Sequence, residues 1–144
     1  MRNKVSLASL LTIVLALTGC GTHSTSPING SWFGTLNNPD GTVAYTFTTL
    51  ITQGGNGNLS FPNLRFASVG ACGALALVGG AGTESKQSVL ITISTGLAQP
   101  EATTATLSGA RSSNKISGTW TLIGGTAPCN GNGAFTMTSP MAGG

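Results

Sequence analysis

The sequence predicts an all-β domain: an antiparallel meander of about eight strands that closes into a small up-and-down β-barrel, with a β-sandwich as the alternative arrangement. Three observations lead there. Apolar residues recur at every second position in several segments. Clusters of Gly, Asn and Pro separate these segments at the intervals of an antiparallel domain. Beyond residue 20, no window sets apolar residues at i, i+3, i+4 and i+7 over three turns, so no amphipathic helix is expected.

The segments fall at 31–37, 42–52, 57–67, 72–78, 87–95, 102–109, 115–123 and 133–139. The second puts Val43, Tyr45, Phe47, Thr49 and Ile51 on one face and mostly Thr on the other. In the fifth, Val89, Ile91 and Ile93 alternate with Leu90, Thr92 and Ser94, and in the seventh Ile116, Gly118, Trp120 and Leu122 alternate with Ser117, Thr119 and Thr121. A period of two turns each apolar set towards a core and each Thr/Ser set towards water. Gly54-Gly55-Asn56-Gly57-Asn58 and Arg111-Ser112-Ser113-Asn114 are short turns, and the glycine clusters at 79–82 and 131–133 are likewise expected as turns. Sequential hairpins form a meander, and closing it removes both exposed edges.

Gly30-Ser31-Trp32 opens the first segment and Gly118-Thr119-Trp120 lies in the seventh. This Gly-x-Trp pattern resembles the small closed barrels of the lipocalin and avidin type. The resemblance implies the barrel architecture and carries no ligand with it.

The N-terminus has a basic start (Arg2, Lys4) and an apolar stretch from Val5 to Thr18, followed by Gly19 and Cys20. That order is the one a secretion signal requires. The apolar stretch is shorter than the roughly 20 residues of a spanning helix and contains Ser6, Ser9 and Thr12. Leu17-Thr18-Gly19-Cys20 resembles the lipobox of bacterial lipoproteins, with Thr18 a tolerated middle residue. The resemblance covers residues 1–20. It implies a signal peptide over 1–19 that is removed, diacylglyceryl on the Cys20 thiol, and an acyl chain, typically palmitate, on its freed amine. Each buried CH₂ adds about 0.8 kcal/mol of membrane affinity, so two or three chains hold where one does not. Gly21, where inner-membrane lipoproteins tend to carry Asp, implies the cell outer membrane. Residues 20–29 then read as a lipidated cysteine and a flexible tether, and 30–144 as the barrel-like domain.

Cleavage before Cys20 leaves 125 residues, enough for one domain with a core. It also removes Arg2 and Lys4. The remaining Arg65, Lys86, Arg111 and Lys115 face Asp40, Glu84 and Glu101, so the net charge falls from +3 to +1. No basic stripe is left, and nucleic acid is not an expected partner. Seven fixed charges in 125 residues is far below the usual quarter of a soluble domain, and Thr, Ser, Asn and Gly do the solvating instead. In an oxidising compartment the remaining pair, Cys72 and Cys129, is expected to form a disulfide worth roughly 4 kcal/mol by loop entropy. Metal ligation and a reactive thiol are the competing readings. His23 is the one histidine, in the tether, and no second pair of ligands lies near either cysteine, so no metal is expected.

No constellation for catalysis stands out. A nucleophile needs a nearby base, and Gly-x-Ser-x-Gly is absent. Asp40, Glu84 and Glu101 all lie in expected turns, as solvated loop charges. The glycine clusters lack the Lys-Ser/Thr ending of a phosphate loop, and no cofactor is implied. The expected role is therefore non-catalytic: surface binding or envelope structure, with the membrane as partner through the N-terminal lipid. One alternative is a barrel that binds a small ligand, with Tyr45, Phe47 and Trp120 as pocket wall; another is an enzyme using the loop carboxylates. Partner identity and oligomeric state are not encoded in any motif.

Overall fold

A computed structural model describes residues 28–68, 79–94, 103–124 and 131–140. Among the described residues nine strands form one sheet: β1 (Gly30–Asn37), β2 (Val43–Gln53), β3 (Asn58–Ser60), β4 (Arg65–Ser68), β5 (Gly79–Ser85), β6 (Ser88–Ser94), β7 (Thr104–Ser112), β8 (Lys115–Ile123) and β9 (Gly131–Thr138). Every pairing is antiparallel. Neighbours in the chain are mostly neighbours in the sheet, and β1 pairs with both β2 and β9. The sheet thus closes into an eight-stranded up-and-down barrel, and the sandwich is set aside.

The ninth strand comes from a break in the expected 57–67 segment. β3 and β4 run along the same edge of β2, but their register on it differs by one residue: Thr52 pairs with Ser60, whereas Thr48 pairs with Arg65. The extra residue falls at Pro62-Asn63. Pro62 has no N–H for the ladder, though its carbonyl still accepts from Leu50 N at 3.3 Å, and Asn63 takes φ 58°. This slip has a packing consequence. Phe61 and Phe66 are five residues apart, so an unbroken strand would send one of them outward. With the bulge, Phe61 is buried in the core and Phe66 packs against it.

Two further expectations need correction. The presumed turn cluster at 79–82 lies in a strand, β5 (Gly79–Ser85); the expected strand 72–78 lies outside the described residues. Gly131 and Gly133, the other presumed turn, lie in β9. Their reason for being glycine is space inside the barrel. A Cβ on Gly131 would meet the Trp120 ring at 3.0 Å. One on Gly80 would meet Phe61 at 3.2 Å. One on Gly34 would overlap Phe47, its cross-strand partner. Gly118 pairs with Gly109 on one side and Phe135 on the other, and a Cβ there would overlap the backbone of Ser108. Each large ring therefore lies over a strand position with no side chain.

The inward set is otherwise mostly apolar: Trp32, Leu36, Tyr45, Ile51, Leu59, Val89, Ile91, Ile93, Leu107, Ile116, Leu122 and Met137 are all buried, with Thr49, Glu84 and Arg111 as polar members. The barrel has two rims. At the lower rim lie the turns 54–57, Lys86-Gln87 and Ser113-Asn114, together with Ile28 and Ser139. At the upper rim lie 38–42 and the strand ends Ser68, Gly79, Ser94, Thr104, Ile123 and Gly131. Lys86 and Gln87 have φ of 48° and 73°, the two positive values of a type I′ turn, whose twist suits a tight hairpin. The expected tether is also shorter at its C-terminal end. Ile28 is buried in the core, its carbonyl accepts from Trp32 Nε1 at 2.9 Å, and Asn29 Oδ1 accepts from Gln53 N at 2.6 Å.

If glycine at these positions serves ring packing, Gly34→Ala, whose Cβ would overlap the Phe47 ring, should lower the unfolding free energy by about 1–3 kcal/mol in urea titrations. Gly79→Ala is the control, because a Cβ there meets nothing within 4 Å. It should stay within about 0.5 kcal/mol of the parent.

Candidate functional site

The three residues expected to wall a pocket do come together. Tyr45 meets Trp120 edge-to-face with ring centroids 5.8 Å apart, and Phe66 bridges Tyr45 at 5.3 Å and Phe47 at 5.6 Å. All three are buried, against each other rather than around a space. Trp120 also spends its polar handle: its Nε1 donates to the Asn37 carbonyl at 2.8 Å. Among the described residues every buried polar side-chain atom has a partner, so no polar group is left pointing at an absent ligand. An eight-stranded barrel is just wide enough for its own side chains or for one small ligand, and the rings of Tyr45, Phe47, Phe66 and Trp120 take up part of that width.

The lower rim holds a feature that turn-based reasoning missed. Glu84 faces inward from β5, and Arg111 faces inward from β7; their side chains are 5 % and 8 % exposed. Arg111 Nη1 donates to both carboxylate oxygens of Glu84, at 3.0 and 3.2 Å. Gln53 Nε2 donates to Glu84 Oε2 at 3.1 Å, and Arg111 Nε donates to the Ser113 carbonyl at 3.2 Å. Neither charge is a solvated loop charge, which corrects the expectation for Glu84 and for the Arg111 turn. Parity held the signal for Arg111: it continues Ala105, Leu107 and Gly109, the inward set of β7. For Glu84 the strand itself was hidden by its glycines.

Asp40 is at the upper rim, exposed, in the β1–β2 turn. Its Oδ1 accepts from the Thr42 N–H at 2.9 Å and the Thr42 hydroxyl at 2.6 Å. These bonds favour the ionised form, so its carboxyl lies below the ordinary aspartate range, the Thr42 hydroxyl being the largest cause. Asp40 and Glu84 therefore stand at opposite ends of the barrel and share no cleft. Glu101, Cys20, His23, Cys72 and Cys129 lie outside the described residues. Among the described residues, no group of three His, Cys, Asp or Glu is placed to hold a metal, and no helix is long and apolar enough to cross a membrane.

Outside the barrel, β1, β2 and β4 form the floor of a shallow groove of about 460 Å³ that includes Phe33, Leu50, Asn63, Arg65 and Pro140 in its lining. Phe33 and Leu50 are 47 % and 38 % exposed, and among the described residues no carboxylate lines the groove. The sequence holds no hint of it, since its members meet only through cross-strand register.

No family model, curated protein or solved structure matches the chain. The site must therefore be read from its own chemistry, and of the two polar or apolar concentrations, the Glu84–Arg111 pair is internal and only the groove faces outward.

Removing one partner of a buried ion pair leaves an uncompensated charge. Arg111→Met should cost about 3–5 kcal/mol of stability, and adding Glu84→Leu should recover most of it. A double-mutant cycle in urea checks this; two additive losses would mean the pair is not coupled.

Proposed function

We propose that this chain is a lipid-anchored barrel of the bacterial cell envelope, acting without catalysis through its outer surface. The carrying observation is Leu17-Thr18-Gly19-Cys20 at the end of a basic and then apolar leader, with Cys20 eight positions before Ile28, the first residue of the core. At 3.3–3.6 Å per residue that connection spans at most about 29 Å, so the lower rim is held near the bilayer. Gly21 after the cysteine supports the outer membrane over the inner one. A packed interior with its polar groups satisfied supports a role for the outer wall in binding or envelope structure.

The anchor is tested by Cys20→Ser in a lipoprotein-processing bacterium. Loss of labelled palmitate and of flotation with membranes is the expected outcome. A variant that still floats fully defeats the anchor.

A disulfide between Cys72 and Cys129 belongs to the same reading. β4 ends and β5 begins at the upper rim, as β8 ends and β9 begins there; in the sequence Cys72 falls between the first two strands and Cys129 between the second two. Alkylation without reductant should leave both thiols unlabelled, and Cys72→Ser/Cys129→Ser should cost about 2–5 kcal/mol. Labelling of both in the exported protein removes the pairing.

A further inference from the structure

The register places an ordered row of side chains across five strands of the outer wall. Lys115 on β8 pairs with Thr138 on β9, Thr138 with Phe33 on β1, Phe33 with Thr48 on β2, and Thr48 with Arg65 on β4. Phe33, Thr138 and Lys115 are exposed, and Thr48 and Arg65 complete the row towards the groove. One aromatic ring is thus flanked by a cation two strands away on either side. At 4.7–4.9 Å per strand the cations stand about 19 Å apart along the wall. Leu50, paired with Ser31, is the diagonal neighbour of Phe33 on the same face, and Pro140 joins them in the groove.

An apolar centre between two long cationic side chains, with no carboxylate in the groove among the described residues, matches one surface chemically: the interface of a bilayer containing anionic lipid. Apolar groups there sit at the boundary of headgroups and acyl chains, while Lys and Arg extend towards the phosphates. The chain's own connectivity favours this occupant. The segment from Cys20 enters the fold at Ile28, immediately before the strand that carries Ser31 and Phe33, and Pro140 follows the strand beside it. The other exposed large apolar side chains lie elsewhere: Val43 and Ile123 at the upper rim, Leu90 on β6, four strands from β1 in either direction. We infer that the β1–β2–β4 wall is a membrane-resting face, with Phe33 and Leu50 at the interface and Lys115 and Arg65 on anionic headgroups. The inference rests on the lipid anchor proposed above.

The test uses the full chain, processed in a lipoprotein-producing host and reconstituted into phosphatidylethanolamine/phosphatidylglycerol vesicles with brominated acyl chains. Phe33→Trp and Leu90→Trp are compared, each as a difference from the parent with its native Trp32 and Trp120. Since an interfacial side chain lies about 5–10 Å into the headgroup boundary, the lipid should quench Phe33→Trp about threefold more than Leu90→Trp. Reversing both cations (Arg65→Glu with Lys115→Glu) should roughly halve that quenching. If the chain does not float with the vesicles, the anchor falls and this face with it. If it floats and the two variants are quenched equally, the anchor stands and the face is overturned. Quenching indifferent to the charge reversal overturns the anionic lipid as occupant. Emission of the Phe33→Trp variant that is shielded from iodide but not quenched by lipid overturns it in favour of a protein.

Discussion

An eight-stranded barrel of this kind has an interior about one side chain deep, and that width decides where rings are allowed. Phe47 already pairs with Phe66 on β4 and stacks on it, so room for such rings has to come from the strand on the other side. The barrel meets this limit by setting an aromatic residue against glycine on an adjacent strand: Phe47 against Gly34, Phe135 against Gly118, Trp120 against Gly131 and Gly133, Phe61 against Gly80. Closure depends on the same arrangement. β1 reaches both β2 and β9 only if the wall can draw in, and Gly34 sits in β1 between those neighbours. The abundance of glycine is therefore a packing property of the strands as well as of the turns.

The Glu84–Arg111 pair follows from the same width at the lower rim. A buried ion pair repays its desolvation only when the remaining donors and acceptors are also satisfied. Here Gln53 and the Ser113 carbonyl supply the extra bonds, which tie β2, β5 and the β7–β8 turn together. Gln53 is itself held, since its N–H donates to Asn29 and its Oε1 accepts from Ile28 N at 3.4 Å. The entering chain thus completes the polar layer, and Ile28 places an apolar side chain beside it. A well-packed hydrophobic trio can match such a layer in stability. The charged one fixes which strands meet at the rim.

Period-two alternation made β2, β6 and β8 legible, because Tyr45, Phe47, Ile91, Ile93, Ile116 and Trp120 mark the inward face without help from other strands. β5 was not legible. Its inward positions are Gly80, Gly82 and Glu84, so a pattern that counts apolar side chains finds none, although the missing atoms are supplied by Phe61, just past β3. The Pro62 bulge was half-visible as a proline in a strand, but its effect on the facing of Phe61 and Phe66 depends on the register with β2. The groove and the row from Lys115 to Arg65 depend wholly on register, since those residues are scattered from 31 to 140 in the chain. Local periodicity reports which face a residue takes, and only closure reports its neighbours.

The scarcity of charge gains meaning once each group has a place. Of the four cations beyond residue 20, Arg111 is consumed inside the barrel by Glu84. That leaves Arg65, Lys86 and Lys115 on the outside, while Asp40 is held ionised by Thr42 at the upper rim. Lys86 and Lys115 border turns of the lower rim, and Arg65 stands on the wall beside the groove. The described surface is therefore polarised along the barrel axis, with its positive end where the chain enters. In a surface solvated mostly by Thr and Ser, three cations are not diluted by neighbouring carboxylates, and their field reaches about a Debye length, roughly 8–10 Å at physiological salt. So few charges cannot keep a protein soluble by repulsion. Placed on one end and one wall of the described surface, they can still set the orientation in which that surface meets an anionic partner.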